Sequence, residues 1–507
     1  MEKIINWLRN AVTRRSAAGV AITALIIAVV VALNSVVYAV TNTFGLYLYT
    51  PIYDDLTIST HTDELFAEAI SMQRKVTVTF CLDEDTLETH TTGAYVLDTA
   101  RQFEERYPSL ITLRFVNVIT RLDEDGNIFN FDKYVTEDTA LRNNSVIFES
   151  ETSHRVITDA YTDTGFGDFF SLDGSGNATA YIGEEVFASM VSWVLQNEHK
   201  KAYFTQNHGE TVELAFANML SCAGYEIEII NLRQAVRVPE DCDLLIISNP
   251  TSDFERRSEN SNVYTEMERL KDYVEAGGNI YVSIDPYAKK LAALESFLSG
   301  YGITVAGREG ENGVYAREIV KDSVKGVGTD GFTFVATVNE ADELSGRVYD
   351  RIEKFGEEAV VITRDSARLE LSGNARAMLV SSPSSVTEAQ GKTVSTEGSF
   401  AVGAYATIDN VADVKDAHIF VVPSAYFTIT DAIVNDSYSN RDFIYVMLNE
   451  LMGSAYAPYG CSIVSFDQSR LEGLTMDSAN LYTAIIIAIP CAIAIAGFIV
   501  IRRRKNR

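Results

Sequence analysis

Cysteine is scarce, with five residues in 507, at Cys81, Cys222, Cys242, Cys461 and Cys491. So few exclude a disulfide-built scaffold, and none stands in a CxxC or a Cys/His pattern at zinc spacing. Glu84 holds the place after Cys81 where a thioredoxin-type redox pair would need its second thiol. The six histidines form no HExxH or other metal-ligand spacing, so no metal and no cofactor is expected. Positive charge is also in short supply, 42 Lys+Arg against 70 Asp+Glu, a formal net charge of −28. That balance argues against a nucleic-acid partner, which needs a basic face to displace counterions. No G-x-S-x-G elbow occurs. The Gly391-Lys392-Thr393 triplet lacks the earlier glycine of a phosphate loop, because position 386 is Val386. Repeats and low-complexity tracts are absent too. What remains is 47% hydrophobic and 22% charged, the composition of a folded chain, and long enough for two to four domains at roughly 150 residues each.

Charge vanishes in two stretches. Between Arg15 and Asp54 there is none, and Ala17 to Leu33 is an apolar run that continues to Val40. A second run, Leu481 to Ile501, ends at Arg502-Arg503-Arg504-Lys505. Each meets the length of about 20 apolar residues that a span requires, and the basic flanks place both termini in the cytoplasm. A cleaved leader would have a core of only about 7–15 apolar residues, so the first run reads as an uncleaved anchor. The expected division is therefore a cytoplasmic N-terminus at 1–16, a transmembrane helix at 17–40, a body at 41–470 outside the membrane, a transmembrane helix at 481–501 and a basic tail at 502–507. Between the basic ends, 33 Lys+Arg against 69 Asp+Glu leave a charge of about −36, which keeps that body soluble.

Within the body, 41–198 reads as an α/β domain. A strand at Lys75–Cys81, a helix at Tyr95–Tyr107 and a strand at Leu110–Val118 form a βαβ unit of thioredoxin-like type. Strands at Ser145–Glu149 and His154–Thr158 and a helix at Glu184–Gln196 follow. A second domain, 199–470, alternates apolar strands with helices: Ala202–Thr205, Tyr225–Asn231, Asp243–Ser248 and Asn279–Ile284 against Thr211–Ala223, Tyr264–Ala276 and Leu291–Leu298. Continuous apolar strands separated by helices predict a parallel, doubly wound sheet of Rossmann or flavodoxin-like kind. Residues of about 305–400, with scattered short strands, read as a β-rich insertion. Phe400–Thr407, Ile419–Pro423 and the helix Asn440–Leu451 complete the sheet. The expected fold class is thus α/β, two domains flanked by two transmembrane helices.

Ligands of a doubly wound sheet bind beyond the C-terminal strand ends. Asn207, His208, Glu210, Asn249 and Asp285 fall there and are the candidate ligand-binding residues. A cleft is one reading; the other is turn chemistry, because Asn, Asp, Gly and Pro are what strand-to-helix turns require. His208 with Glu210 has the residue types for acid–base work, but no nucleophile accompanies them. No catalytic residue and no enzyme activity is expected.

Several segments carry a resemblance. They are Asp55-Leu56-Thr57, KAYFTQNHGE at 201–210, DLLIISNP at 243–250, LKDYVEAGGNIYVSIDP at 270–286, SSPSS at 381–385 and SNRDFIYVMLNELMG at 439–453. Together they resemble the GldG-like proteins, the auxiliary component of ABC-type transport systems associated with bacterial gliding motility. Asn207 stands where that family usually has Gly before the His-Gly-Glu turn. The resemblance implies a non-catalytic, membrane-anchored auxiliary subunit at the bacterial plasma membrane, with its main body extracytoplasmic. Its partners would be a multi-span ABC permease and a cytoplasmic ATPase subunit. The alternative expectation is an anchored binding protein for a glycan or peptide ligand, and after it an envelope hydrolase.

Overall fold

Apolar strands closed by turn residues build two α/β bodies in the computed structural model. It describes residues 58–466, apart from 124, 137–138, 162–167, 173–177, 256–263, 311–312, 354–358, 411–413, 436 and 454–457. The described residues belong to one compact unit.

The first body runs α1 (Thr60–Ser71), β1 (Val76–Phe80), α2 (Glu84–Glu88), α3 (Gly93–Arg106), β2 (Ile111–Asn117), β3 (Leu122–Asp123), β4 (Val146–Glu149), β5 (His154–Ile157), β6 (Phe170–Leu172), β7 (Ala178–Tyr181) and α4 (Gly183–Leu195). Its sheet has the order β3-β2-β1-β4-β5. β1 and β2 are parallel, in register Val76↔Ile111, so the βαβ unit is present. β4 runs antiparallel beside β1. Phe187 of α4 binds this body together, meeting Phe103 at 4.4 Å and Phe148 at 5.1 Å between ring centroids.

The second body continues with β8 (Lys200–Thr205), α5 (Leu214–Cys222), β9 (Tyr225–Ile230), β10 (Cys242–Ser248), α6 (Glu266–Glu275), β11 (Asn279–Ser283), α7 (Ala292–Gly300), β12 (Ile303–Val305), β13 (Gly307–Glu309), β14 (Tyr315–Arg317), β15 (Ile319–Lys321), β16 (Thr333–Val338), α8 (Glu343–Glu353), β17 (Val361–Arg364), β18 (Leu369–Leu371), β19 (Ala375–Val380), β20 (Val386–Ala389), β21 (Lys392–Thr393), β22 (Ala401–Ile408), β23 (Ala417–Val422), α9 (Thr430–Ile433), α10 (Asn440–Met452) and β24 (Val464–Ser465). The main sheet has the order β17-β16-β19-β22-β23-β11-β10-β8-β9, with β12 and β18 attached off this path. From β9 to β23 all pairings are parallel. Those five strands follow the flavodoxin-like 2-1-3-4-5 order. Helices cover both faces, which is why β11 is buried throughout and β10 at every position but Asp243. Leu245, Ile247, Ile280 and Val282 pack with Leu270, Val274, Leu294 and Leu298 of α6 and α7. On the other face Phe216 of α5 meets Tyr281 at 5.2 Å, and Phe443 of α10 lies 6.3 Å from Phe420. Each fully buried Leu, Ile or Val on these strands contributes about 1.5–3 kcal/mol.

The stretch read as an insertion divides in two. β16, β17 and β19 extend the main sheet through antiparallel pairing with β22, whereas β13–β14 and β15–β20–β21 form separate small sheets. Gly391-Lys392-Thr393 lies in the β20–β21 hairpin, with Gln390 and Gly391 both at positive φ, and is a tight turn.

The membrane-flanked fold class requires correction. Among the described residues no helix is long and apolar enough to cross a membrane. The longest, α3, has 14 residues. At 1.5 Å per residue that is about 21 Å, short of a hydrocarbon core of about 30 Å, and one of its faces is charged. The segments expected to span, 17–40 and 481–501, lie outside the described residues. Among the described residues the architecture is mixed α/β, with no transmembrane helix flanking it. The plasma-membrane, extracytoplasmic placement with both termini cytoplasmic is not retained.

Candidate functional site

In the 2-1-3-4-5 order the switch point lies between β8 and β10, because α5 leaves toward one face and α6 toward the other. The loops after these strands carry His208 and Asn249. Thr205 ends β8, and Asn207 (φ +85°) and Gly209 (φ +73°) reverse the chain around His208. Asn tolerates that left-handed geometry and Gly requires no compensation for it. A Cβ on Gly209 would stand 2.1 Å from Thr251 Oγ1, so the two loops meet where only glycine fits.

His208 is completely buried. Its Nδ1 lies 3.2 Å from Glu210 Oε1 and its Nε2 3.1 Å from Glu266 Oε2. Phe254 stacks on the ring at 3.9 Å between centroids. The backbone joins the knot. His208 N donates to Glu210 Oε2 at 2.6 Å, and the His208 carbonyl accepts from Thr251 N and Ser252 N, each at 2.9 Å. Glu255 N donates to Glu266 Oε2 at 2.8 Å. Burial alone would lower the His208 pKa; its hydrogen bonds to two carboxylates outweigh that and raise it to about 9. Burial alone would raise Glu210 and Glu266; the same contacts hold both below the ordinary carboxylate value. At neutral pH the ring is an imidazolium that spends both N–H groups on carboxylates. In that state neither ring nitrogen carries a free lone pair, and the ring has no exposed surface.

The five sequence-derived residues thus separate. His208 and Glu210 meet each other and Glu266. Asn207 is exposed at the turn. Asn249 is buried beside them at φ +49°, donates from its backbone N to Ser283 O at 3.0 Å, and leaves Oδ1 without a partner. Asp285 does not join the knot. It accepts from Tyr287 N at 2.9 Å in its own turn. That turn is held from below by Arg317, whose buried guanidinium donates to the carbonyls of Asp285 at 3.1 Å and Ala288 at 2.6 Å and to Glu295 Oε1 at 2.7 Å. Glu266, Phe254 and Arg317 were missed by sequence reading. Only Glu266 had a signal. It sits inside the Thr265-x-x-Glu268 capping box that starts α6, where a carboxylate also suits the helix dipole.

Among the described residues burial pushes the thiols up, Cys81, Cys222 and Cys242 to about 12 and Cys461 well above the ordinary thiol value. Among the described residues no group of three His, Cys, Asp or Glu is placed to hold a metal.

No family model matches the chain, and no curated protein matches it. Solved structures that resemble it do so remotely. The N-terminal domain of mmIFT52 shares 15% identity at a TM-score of 0.37, over 50% of this chain and 97% of that one. A ThuA-like protein from Bacteroides uniformis shares 11% at 0.27, over 51% and 94%. PurLQS from Thermotoga maritima shares 12% at 0.29, over 50% and 99%.

Proposed function

We propose that this chain is a non-catalytic accessory protein that works through binding, and that its partners are the permease and ATPase of an ABC-type transport system. One observation carries the first half. The switch-point crevice, where a doubly wound sheet does its chemistry, is filled by the His208–Glu210–Glu266 knot, and every polar group of the imidazole is already spent. The side chains that could have cut a bond serve instead to fix two loops. The second half rests on the resemblance of 201–210, 243–250, 270–286 and 439–453 to the GldG-like proteins. The sequence has no Walker A motif, the phosphate loop of an ABC-type ATPase, so in such a system the ATPase would be a separate subunit. Affinity capture of the tagged full-length protein from gently solubilised native cells is expected to recover a multi-span permease and an ATPase. Recovery of the chain alone, from extracts in which other transporter complexes persist, would overturn the partnership. A glycan or peptide in the crevice is disfavoured by the same knot.

A further inference from the structure

The main sheet ends in two edges, and they differ. At β17 the outer side is closed by a side chain. Ile362 N donates to Asn440 Oδ1 at 2.7 Å, and Asn440 Nδ2 donates to the Ile362 carbonyl at 2.9 Å, so one fully buried amide takes the place of a further strand. β9 is the other edge. It pairs with β8 along its whole length without a bulge, and among the described residues no strand lies on its far side. Tyr225 to Ile230 hold no proline and no lysine, two of the devices that blunt an exposed edge; their charges are two glutamates.

One bond fixes which way its backbone groups point. Gln206 N donates to the Ile230 carbonyl at 3.0 Å, as the register Thr205↔Ile230 requires of a parallel ladder. The N–H and C=O of a strand residue lie on one side, and successive residues alternate sides. Glu226, Glu228 and Ile230 therefore bond to β8, and Tyr225, Ile227 and Ile229 present N–H and C=O outward. Side chains alternate between the two faces in the same way. Ile230 belongs to the core under α6 and α7, so Tyr225, Ile227 and Ile229 turn toward α5. Tyr225 is buried, Ile227 half-buried and Ile229 62% exposed. On the opposite face Glu226 and Glu228 are exposed, and among the described residues neither makes an ion pair. Lys201, which faces Glu226 in the register, is paired with Asp241 at 2.8 Å. A strand added here meets an apolar row on one face and an acidic row on the other. The pattern that matches both is a basic residue alternating with a branched apolar one. A second copy of β9 does not match, because antiparallel pairing about a two-fold axis puts the glutamates of both copies on one face.

We propose that β9 is a docking edge, to which a partner protein adds an extended segment of Lys or Arg alternating with Val or Ile. Main-chain bonds to Ile227 and Ile229 give the affinity, and the two rows of side chains give the selection. The inference goes beyond the transport reading and does not depend on it. The probe is a fluorescein-labelled peptide of four Lys-Val repeats, titrated by anisotropy against the full-length protein at about 0.15 M salt. Saturable binding is expected. An isomer with its four lysines ahead of its four valines has the same charge and composition but the wrong period, and should bind about tenfold more weakly. Glu226→Gln combined with Glu228→Gln should weaken the alternating peptide by a similar factor. Ile229→Pro removes an outward N–H that β8 does not use, so the fold should hold while binding is lost. No saturable binding of the alternating peptide, equal binding of the two isomers, or binding unchanged by Ile229→Pro would each overturn the proposal. So would sedimentation of the free protein as a dimer that Ile229→Pro dissolves, because the edge would then belong to a second copy. The isomer comparison needs only the wild-type chain, so it decides even if Ile229→Pro does not fold.

Discussion

At the scale of single residues, His208 sets a pH dependence whose sign is fixed by its contacts. Its folded pKa of about 9 lies above the ordinary histidine value of 6.5. Protonation therefore stabilises the fold. The contribution is fully present below about pH 6.5 and is lost as pH rises from there through 9. A shift of this size is worth about 3 kcal/mol at most, at 1.36 kcal/mol per pH unit. Glu210 and Glu266 act at the other end, because their lowered values remove stability only as pH falls below the usual carboxylate range. Melting temperature is expected to be highest near pH 5–6 and to fall toward pH 9. His208→Gln should melt lower at pH 6 and lose that slope. A wild-type melting point flat between pH 6.5 and 9 contradicts the buried imidazolium.

Gly209 supports the same knot sterically. Its φ of +73° and the 2.1 Å separation between Thr251 Oγ1 and any Cβ added there make two separable costs. Gly209→Ala should lose about 1–3 kcal/mol in urea unfolding. Adding Thr251→Ala should recover the steric part and leave the backbone part; full recovery would mean that φ costs nothing there. The sequence placed His208 and Glu210 at a strand end, but not their partner. Glu266 is 58 residues from His208, and nothing local in a chain tells which helix start a loop will meet.

At the scale of elements, the joint between the bodies is charged and buried. Glu184 and Glu185 open α4. Glu184 Oε1 accepts from Ser59 N, Ser59 Oγ and Thr62 Oγ1, and its Oε2 accepts from Ser462 N at 2.7 Å. Two ends of the described chain are thus tied to one carboxylate. Glu185 faces Arg441 and the Tyr445 hydroxyl of α10; burial raises its pKa while those two contacts hold it down in part. Removing one partner strands the other without water. Arg441→Leu should cost about 3–5 kcal/mol, and Tyr445→Phe about 1.5–3 kcal/mol, in chemical unfolding at pH 7. A loss under about 1 kcal/mol for Arg441→Leu would show that water reaches Glu185.

Elements were the most legible part of the sequence. The runs DLLIIS and NIYVSI are continuous because helices cover both faces of β10 and β11, and continuity is the signature of that environment. The antiparallel half was harder. β16, TFVATV, alternates as an ordinary strand, and its membership in the main sheet comes from pairing with β19 and so to β22, more than 60 residues on. Pairing over such distances leaves no local trace, and the stretch looked like an inserted piece.

For the whole molecule, the question is whether two α/β bodies behave as one. A body that packs only through a polar rim would melt by itself. Here the joint includes the buried Glu185–Arg441 pair and Ser462 N, which follows α10 and donates to Glu184. Buried ions tolerate no partial opening, because each loses its partner before it regains full hydration. Separation and unfolding are therefore expected to coincide. In the Trp7→Phe protein, Trp193 reports on α4 of the first body, whereas far-ultraviolet circular dichroism averages over both. Urea curves from the two probes should superimpose in a single transition. Arg441→Leu should pull them apart, with Trp193 responding at lower urea, because the joint then fails before either sheet does. Two separated transitions in the protein with Arg441 intact would mean that the bodies are independent and that the buried charges serve the first body alone.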